Sequence, residues 1–210
     1  MYYDRMGYRE PFVTGEKYHI YNRGTEKRKV FLDKNDYQRF LFVLSNMNRA
    51  TSHGNIQKGL RRMQAEKIRT PQKEHSPLVA VSDYCLMPNH YHLIVEQMVD
   101  NGIAKFLQKV MTSYTMYFNK KYERNGVLFQ GKTKSKFITS DLHYKQVKTY
   151  LDLNPVDLCE AGWREHGKVA DLKKVTRFLG SYAWSSCDQY DPYLKYLSGK
   201  ERLGLLGWND

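Results

Sequence analysis

Cysteine is scarce in this chain and unpatterned. Cys85, Cys159 and Cys187 are its three cysteines, and no two form a C-x-x-C pair. An odd, scattered set argues against a disulfide scaffold or a structural zinc site and fits reduced thiols. Long apolar runs are missing too. No stretch approaches the roughly 18 uninterrupted apolar residues of a membrane span, and the first residues carry no apolar signal core. No membrane partner and a cytoplasmic location are therefore expected. No internal repeat is visible. Acidic residues are outnumbered, with 22 Asp and Glu against 34 Lys and Arg, leaving a net charge of +12 and a pI near 9.5. Such an excess attracts phosphate backbones by counterion release, whatever the base sequence.

Aromatic side chains, by contrast, are plentiful, with 17 tyrosines and 9 phenylalanines among 210 residues. Aromatic faces stack on unpaired bases, so basic charge with exposed rings favours single-stranded or hairpin nucleic acid over plain duplex. Tyrosine is also an ordinary sheet residue, so many of these rings must be structural.

The most informative stretch is Pro88-Asn89-His90-Tyr91-His92, entered through Tyr84-Cys85-Leu86-Met87. Apolar neighbours Leu86, Leu93, Ile94 and Val95 mark it as a central strand. Alternate strand residues share a face, so His90 and His92 point the same way, about 7 Å apart. Such a pair can grip one divalent ion and leave coordination positions open. It can equally be two hydrogen-bonded or solvated histidines.

Further along, Asp141 to Leu153 reads as a helix, with Asp141 the expected N-cap and Pro155 the stop. Tyr150 and Asn154 stand at i and i+4, on one face. Asn154 precedes proline, which biases it out of the helical region. A tyrosine one turn from a neutral oxygen ligand suits a metal-assisted nucleophile. The alternative is a core tyrosine followed by a helix-capping asparagine. One turn before Tyr150 stand Gln146 and Val147, neither cation nor base. Lys148 is too close in sequence to share its face and Lys145 is offset, so no base is assigned.

Periodicity organises the rest. A strand is expected over Lys17 to Asn22 and a helix over about Asn35 to Arg49. A polar, basic loop or short exposed helix follows over Thr51 to Ser76. Strands over Leu78 to Cys85 and His90 to Glu96 flank a Met87-Pro88-Asn89 turn. A second helix carries Ile103 to Lys121, a fourth strand Lys134 to Thr139, and a late helix Lys168 to Leu179. The order β-α-β-β-α-β, then α, predicts an α+β, ferredoxin-like split βαβ fold with an antiparallel sheet, helices on one face and the histidine strand central. In Phe129-Gln130-Gly131-Lys132, the glycine permits close backbone approach and Gln130 can read a base edge. Lys132, Lys134 and Lys136 form a row able to follow phosphates, or merely a guarded strand edge.

Together these blocks resemble the HUH single-tyrosine transposases, specifically the REP-associated tyrosine transposases and their insertion-sequence relatives. The likeness is carried by Tyr18-His19-Ile20-Tyr21-Asn22-Arg23-Gly24, Tyr84 through Ile94, and Gly126 through Lys132. It ends with Tyr150-Leu151-Asp152-Leu153-Asn154-Pro155-Val156 and Ala183-Trp184-Ser185-Ser186. Tyr91 takes the bulky apolar position between the histidines. The resemblance implies that His90, His92 and Asn154 hold Mg²⁺ or Mn²⁺ and that Tyr150 is the nucleophile. It also implies that Arg23, Gln130, Lys132, Lys134 and Lys136 meet single-stranded or hairpin DNA. It places the family domain in residues 1–157, leaves 158–210 as a helical extension that contacts DNA or covers the sheet, and is compatible with a homodimer. The implied reaction is DNA cleavage and rejoining through a 5′-phosphotyrosine. A domesticated hairpin-binding protein without cleavage, or a metal-dependent phosphodiesterase using water, would share much of this pattern.

Overall fold

Tyr18 and Ile20 alternate with His19 and Tyr21 to make the first strand, β1 (Lys17–Arg23), one residue longer than expected. The computed structural model describes residues 11–50, 76–188 and 197–198. All but Ser76 of the expected loop at Thr51 to Ser76, and most of the expected extension beyond Asp188, lie outside these residues. α1 (Lys34–Met47) begins with a capping box: Asp33 accepts from Asp36 N, while the Asp36 carboxylate accepts from the Asp33 backbone. β2 (Val79–Met87) and β3 (His90–Gln97) are joined by the short Pro88-Asn89 turn. α2 (Gly102–Lys121), β4 (Lys134–Phe137) and α3 (Asp141–Leu153) complete the pattern. The strands form one antiparallel sheet in the order β2-β3-β1-β4, so the fold is the expected split βαβ arrangement with the histidine strand internal.

Alternation sorts the side chains between two cores. Tyr18, Ile20, Leu86, Tyr91, Leu93 and Val95 face α1 and α2 and bury Phe40, Val43, Phe106, Val110 and Tyr114. Each such side chain contributes ~1.5–3 kcal/mol on burial. The other face presents Cys85, Met87 and Ile94, covered by Val147, Tyr150 and Leu151 of α3. The two crossover helices thus share one face, and the tyrosine helix closes the other.

Ser140, not Asp141, caps α3: its backbone is extended and its side chain accepts from His143 N at 3.1 Å. Asp141 sits exposed in the first turn, where a carboxylate complements the helix dipole. An ion network fixes α3 to β2. Lys148 Nζ lies 2.9 Å from Asp83 and 2.9 Å from Asp152, and Tyr144 donates to Asp83 at 2.7 Å. Burial opposes the charge on Lys148, but its hydrogen bonds to Asp83 and Asp152 raise its pKa above the ordinary lysine value.

Beyond α3 come a 3-10 turn (Asn154–Leu158), α4 (Trp163–His166) and α5 (Leu172–Ser181). α5 starts later than expected because Asp171 caps it, accepting from Lys174 N. Leu153, Val156, Trp163, Val175, Leu179 and Leu197 make a separate apolar cluster. The Ala183 to Ser186 segment then runs beside β2: Leu86 N donates to Trp184 O and Ser186 N to Tyr84 O, each at 2.9 Å. Trp184 stacks on Tyr37 with ring centroids 4.5 Å apart. This segment covers the exposed edge of β2. Among the described residues, no helix is long and apolar enough to cross a membrane.

Candidate active site

Strand pairing brings three histidines onto one sheet face. His92 lies opposite Tyr21 and Cys85, and His90 opposite Arg23 and Met87. His19, two residues before Tyr21, therefore faces the same side. The rings of His90 and His92 meet edge to face with centroids 5.0 Å apart, as their shared face predicts. His19 Nε2 and His92 Nδ1 are 2.9 Å apart. Burial, followed by Lys136 and His143, lowers the His19 pKa from 6.5 to about 3. Burial, followed by His90, His19 and Arg164, holds His92 well below the ordinary imidazole range. Both rings are neutral at pH 7, so one proton lies between them. With that proton on His92 Nδ1, His92 Nε2 keeps its lone pair. That nitrogen is buried and has no hydrogen-bond partner, a costly state unless something fills it.

His90 is oriented in a parallel way. Its Nδ1 lies 2.6 Å from Asn89 Oδ1, and Asn89 Nδ2 donates to Lys27 O at 3.4 Å, which fixes the amide with its oxygen toward the ring. His90 Nδ1 therefore carries the proton. His90 Nε2 then presents a lone pair 3.1 Å from Asn154 Oδ1. Two acceptors face each other, as they would across a shared cation; turning the Asn154 amide over would instead let Nδ2 donate. Asn154 is fully buried. It adopts helical angles (φ −57°, ψ −39°) despite the following proline, because Pro155 enters the first turn of a new 3-10 segment. Among the described residues no three His, Cys, Asp or Glu side chains cluster as a metal site. His90 Nε2, His92 Nε2 and Asn154 Oδ1 would offer two imidazole nitrogens and one amide oxygen to a divalent ion with open positions.

Tyr150 reaches the same group from α3, its ring edge-on to His92 at 5.4 Å and to His19 at 6.4 Å. It is only 5% exposed. Over its ring lies the Arg164 guanidinium from α4, 4.9 Å from the centroid.

Beside the histidines opens a cleft of about 470 Å³, lined by His90, His92, Arg23, Gln130, Lys132 and Lys134 among others. Arg23 Nε donates to Gln130 Oε1 at 2.7 Å, and Lys134 stands over the Tyr21 ring at 5.6 Å. One expectation needs correction here. Lys132 precedes β4, and Lys136, paired with His19, does not line the cleft, so the three lysines are not one strand row. Gly131 takes a left-handed turn (φ +58°), and a Cβ built there would meet nothing of the protein within 4 Å. Tyr150 and Asn154 are not among the residues lining this cleft.

Sequence reasoning singled out neither His19, Asn89 nor Arg164. His19 was within reach, since it alternates with Tyr21 and Arg23 and the fold pairs their strand with the histidine strand. Asn89 adjoins His90 in the same block. Arg164 lies in a segment whose periodicity is too weak to place it.

No protein-family model matches the chain, and no curated protein matches it. Among solved structures, it is similar to a REP-associated tyrosine transposase bound to a REP hairpin. The TM-score is 0.51 and the identity 13%, over 85% of this chain and 81% of that one. A protein from Deinococcus radiodurans R1, provisionally named a transposase, aligns at TM-score 0.37 and 14% identity, over 70% of this chain and 96% of that one. The first likeness shows a shared fold.

Proposed function

We propose that this chain belongs to the REP-associated tyrosine transposases and cleaves and rejoins single-stranded or hairpin DNA, with Tyr150 as nucleophile and His90, His92 and Asn154 as ligands of Mg²⁺ or Mn²⁺. The observation that carries this reading is the convergence of Tyr150 with the His92 ring, whose buried Nε2 has no partner, beside a cleft lined by Arg23, Gln130, Lys132 and Lys134. The fold shared with a hairpin-bound transposase is consistent with it.

In this reading the cleft residues hold the DNA backbone by charge, and Gln130, fixed by Arg23, meets a base edge. A divalent ion at the histidines and Asn154 would polarise a non-bridging phosphate oxygen and orient the phosphate for in-line attack. Tyr150 Oη forms a bond to phosphorus as the bond from phosphorus to O3′ breaks. The phenolic proton passes to water, and the leaving O3′ takes one up. The 5′-phosphotyrosine conserves the bond energy, so a second 3′-OH can reverse the step without ATP. His19 and Asn89 keep their partners' Nε2 lone pairs directed at the centre.

The test is metal dependence. With hairpin DNA and Mn²⁺ the protein should give a denaturation-resistant protein–DNA species. EDTA should abolish it, and His90→Ala or His92→Ala should lower its yield by at least ~100-fold with the fold intact by circular dichroism. Equal yield in EDTA would overturn the metal assignment. A second reading, hairpin binding without cleavage, is favoured by one observation: Tyr150 is buried and lies outside the open cleft. Tight binding with no adduct in any divalent ion would select it.

A further inference from the structure

The α3 helix offers no cation on the Tyr150 face, yet a phenol near pKa 10 and a doubly esterified phosphate both need positive charge to react. The structure supplies one from elsewhere. Arg164, fourteen residues on in α4, is held at its Nε edge by Asp157 Oδ1 at 3.4 Å. The same carboxylate oxygen accepts from Trp163 Nε1 at 2.7 Å, so Asp157 positions both α4 side chains. The guanidinium lies against both the Trp163 ring at 4.8 Å and the Tyr150 ring at 4.9 Å. Its two terminal nitrogens, Nη1 and Nη2, are buried and make no hydrogen bond. Leaving four N–H bonds of a buried cation unpaired is costly. A structural stacking arginine would normally spend them on backbone carbonyls. A planar fork of free donors is instead the shape that recognises two oxygens of one phosphate.

We propose that Arg164 is a phosphate-binding catalytic residue of the Tyr150 site: its free fork takes the scissile phosphate, and afterwards the phosphate bonded to Tyr150 Oη. Arg164 forms and breaks no covalent bond and keeps its proton throughout. It offsets the charge that builds on the phosphate oxygens as Oη bonds to phosphorus and O3′ leaves. It also gives the C-terminal segment a chemical role, since α4 brings the cation that the nucleophile's own helix lacks. The proposal rests on the transposase reading, and its test separates the two.

Hairpin affinity and the rate of adduct formation should be measured with Mn²⁺ in the wild type, Arg164→Lys and Arg164→Gln. Because the open cleft carries most of the binding, Arg164→Gln should lower hairpin affinity by no more than about tenfold while its adduct rate falls by about 100-fold or more. Arg164→Lys keeps the charge but loses the fork, and should fall in between. Asp157→Asn keeps the arginine but weakens its orientation, and should slow the adduct without abolishing it; it serves if Arg164→Gln fails to fold. Adduct rates within twofold of wild type in a folded Arg164→Gln protein would overturn the proposal, as would a loss of hairpin affinity equal to the loss of rate. If the wild type forms no adduct, the transposase reading has failed, and inorganic phosphate binding by calorimetry decides for Arg164. A phosphate site lost in Arg164→Gln upholds the fork as an anion site, and identical isotherms overturn it.

Discussion

The properties of the site are set by which atoms carry protons. His19 and His92 share one proton and are both held neutral by burial, which is the state a metal-ligating imidazole requires. The same burial has a cost in acid. In the unfolded chain both histidines titrate near 6.5, whereas in the fold His19 titrates at about 3 and His92 well below its ordinary value. The unfolded chain therefore binds more protons below pH 6.5. The histidines' contribution to stability is complete above that pH and is lost as the pH falls toward 3. Denaturant titrations between pH 7.5 and 4.5 should show stability falling by up to about 1.4 kcal/mol per pH unit for each histidine. His19→Gln should shallow the slope by about one proton, and identical slopes in the two proteins would contradict this account of His19.

One element, α3, decides whether the chemistry can be assembled, because it brings Tyr150 and Asn154 to a strand far from them in sequence. Its seat on β2 depends on Lys148, which neutralises Asp83 and Asp152, two carboxylates that are 5% and 0% exposed. Lys148→Met should remove the one cation that these two buried carboxylates share. Lys148 is itself about one-third exposed, so the loss should lie near the low end for a broken buried pair, about 3 kcal/mol. Chemical denaturation measures it, and a change under 1 kcal/mol would show that α3 is held by its apolar face alone. The legibility of the sequence follows this geometry. Strands and crossover helices were legible because Ile20, Leu93 and Phe106 repeat at the periods of 2 and 3.6 that burial on one face demands. The histidine pair was legible because alternation is a local rule. The third histidine depended on strand pairing, and the Ser140 cap on a competition between two adjacent capping residues. The pairing of Asn154 with His90 across 64 residues depended on the path of the chain after β4. Arg164 follows no period and depends wholly on tertiary placement.

At the scale of the whole molecule, the chain carries a net charge of +12, and a few of its cations stand beside the histidines. Arg23, Lys132 and Lys134 line the cleft, whereas Lys136 faces His19. Hairpin affinity should fall steeply with salt, with a log–log slope of several units. Replacing Lys132 and Lys134 together should lower that slope by about 1 to 2 units. Replacing Lys136 should change it least, and an equal effect at all three would contradict the cleft as the binding surface. The most direct test of the central claim is to locate the covalent bond. The wild-type protein, incubated with hairpin DNA and Mn²⁺ and then digested with protease and nuclease, should yield one modified peptide by mass spectrometry, carrying a 5′-nucleotide on Tyr150. Tyr150→Phe should bind the hairpin as tightly and yield none. A nucleotide mapped to Tyr144, Tyr91 or Tyr21, or an undiminished adduct in Tyr150→Phe, would contradict the account.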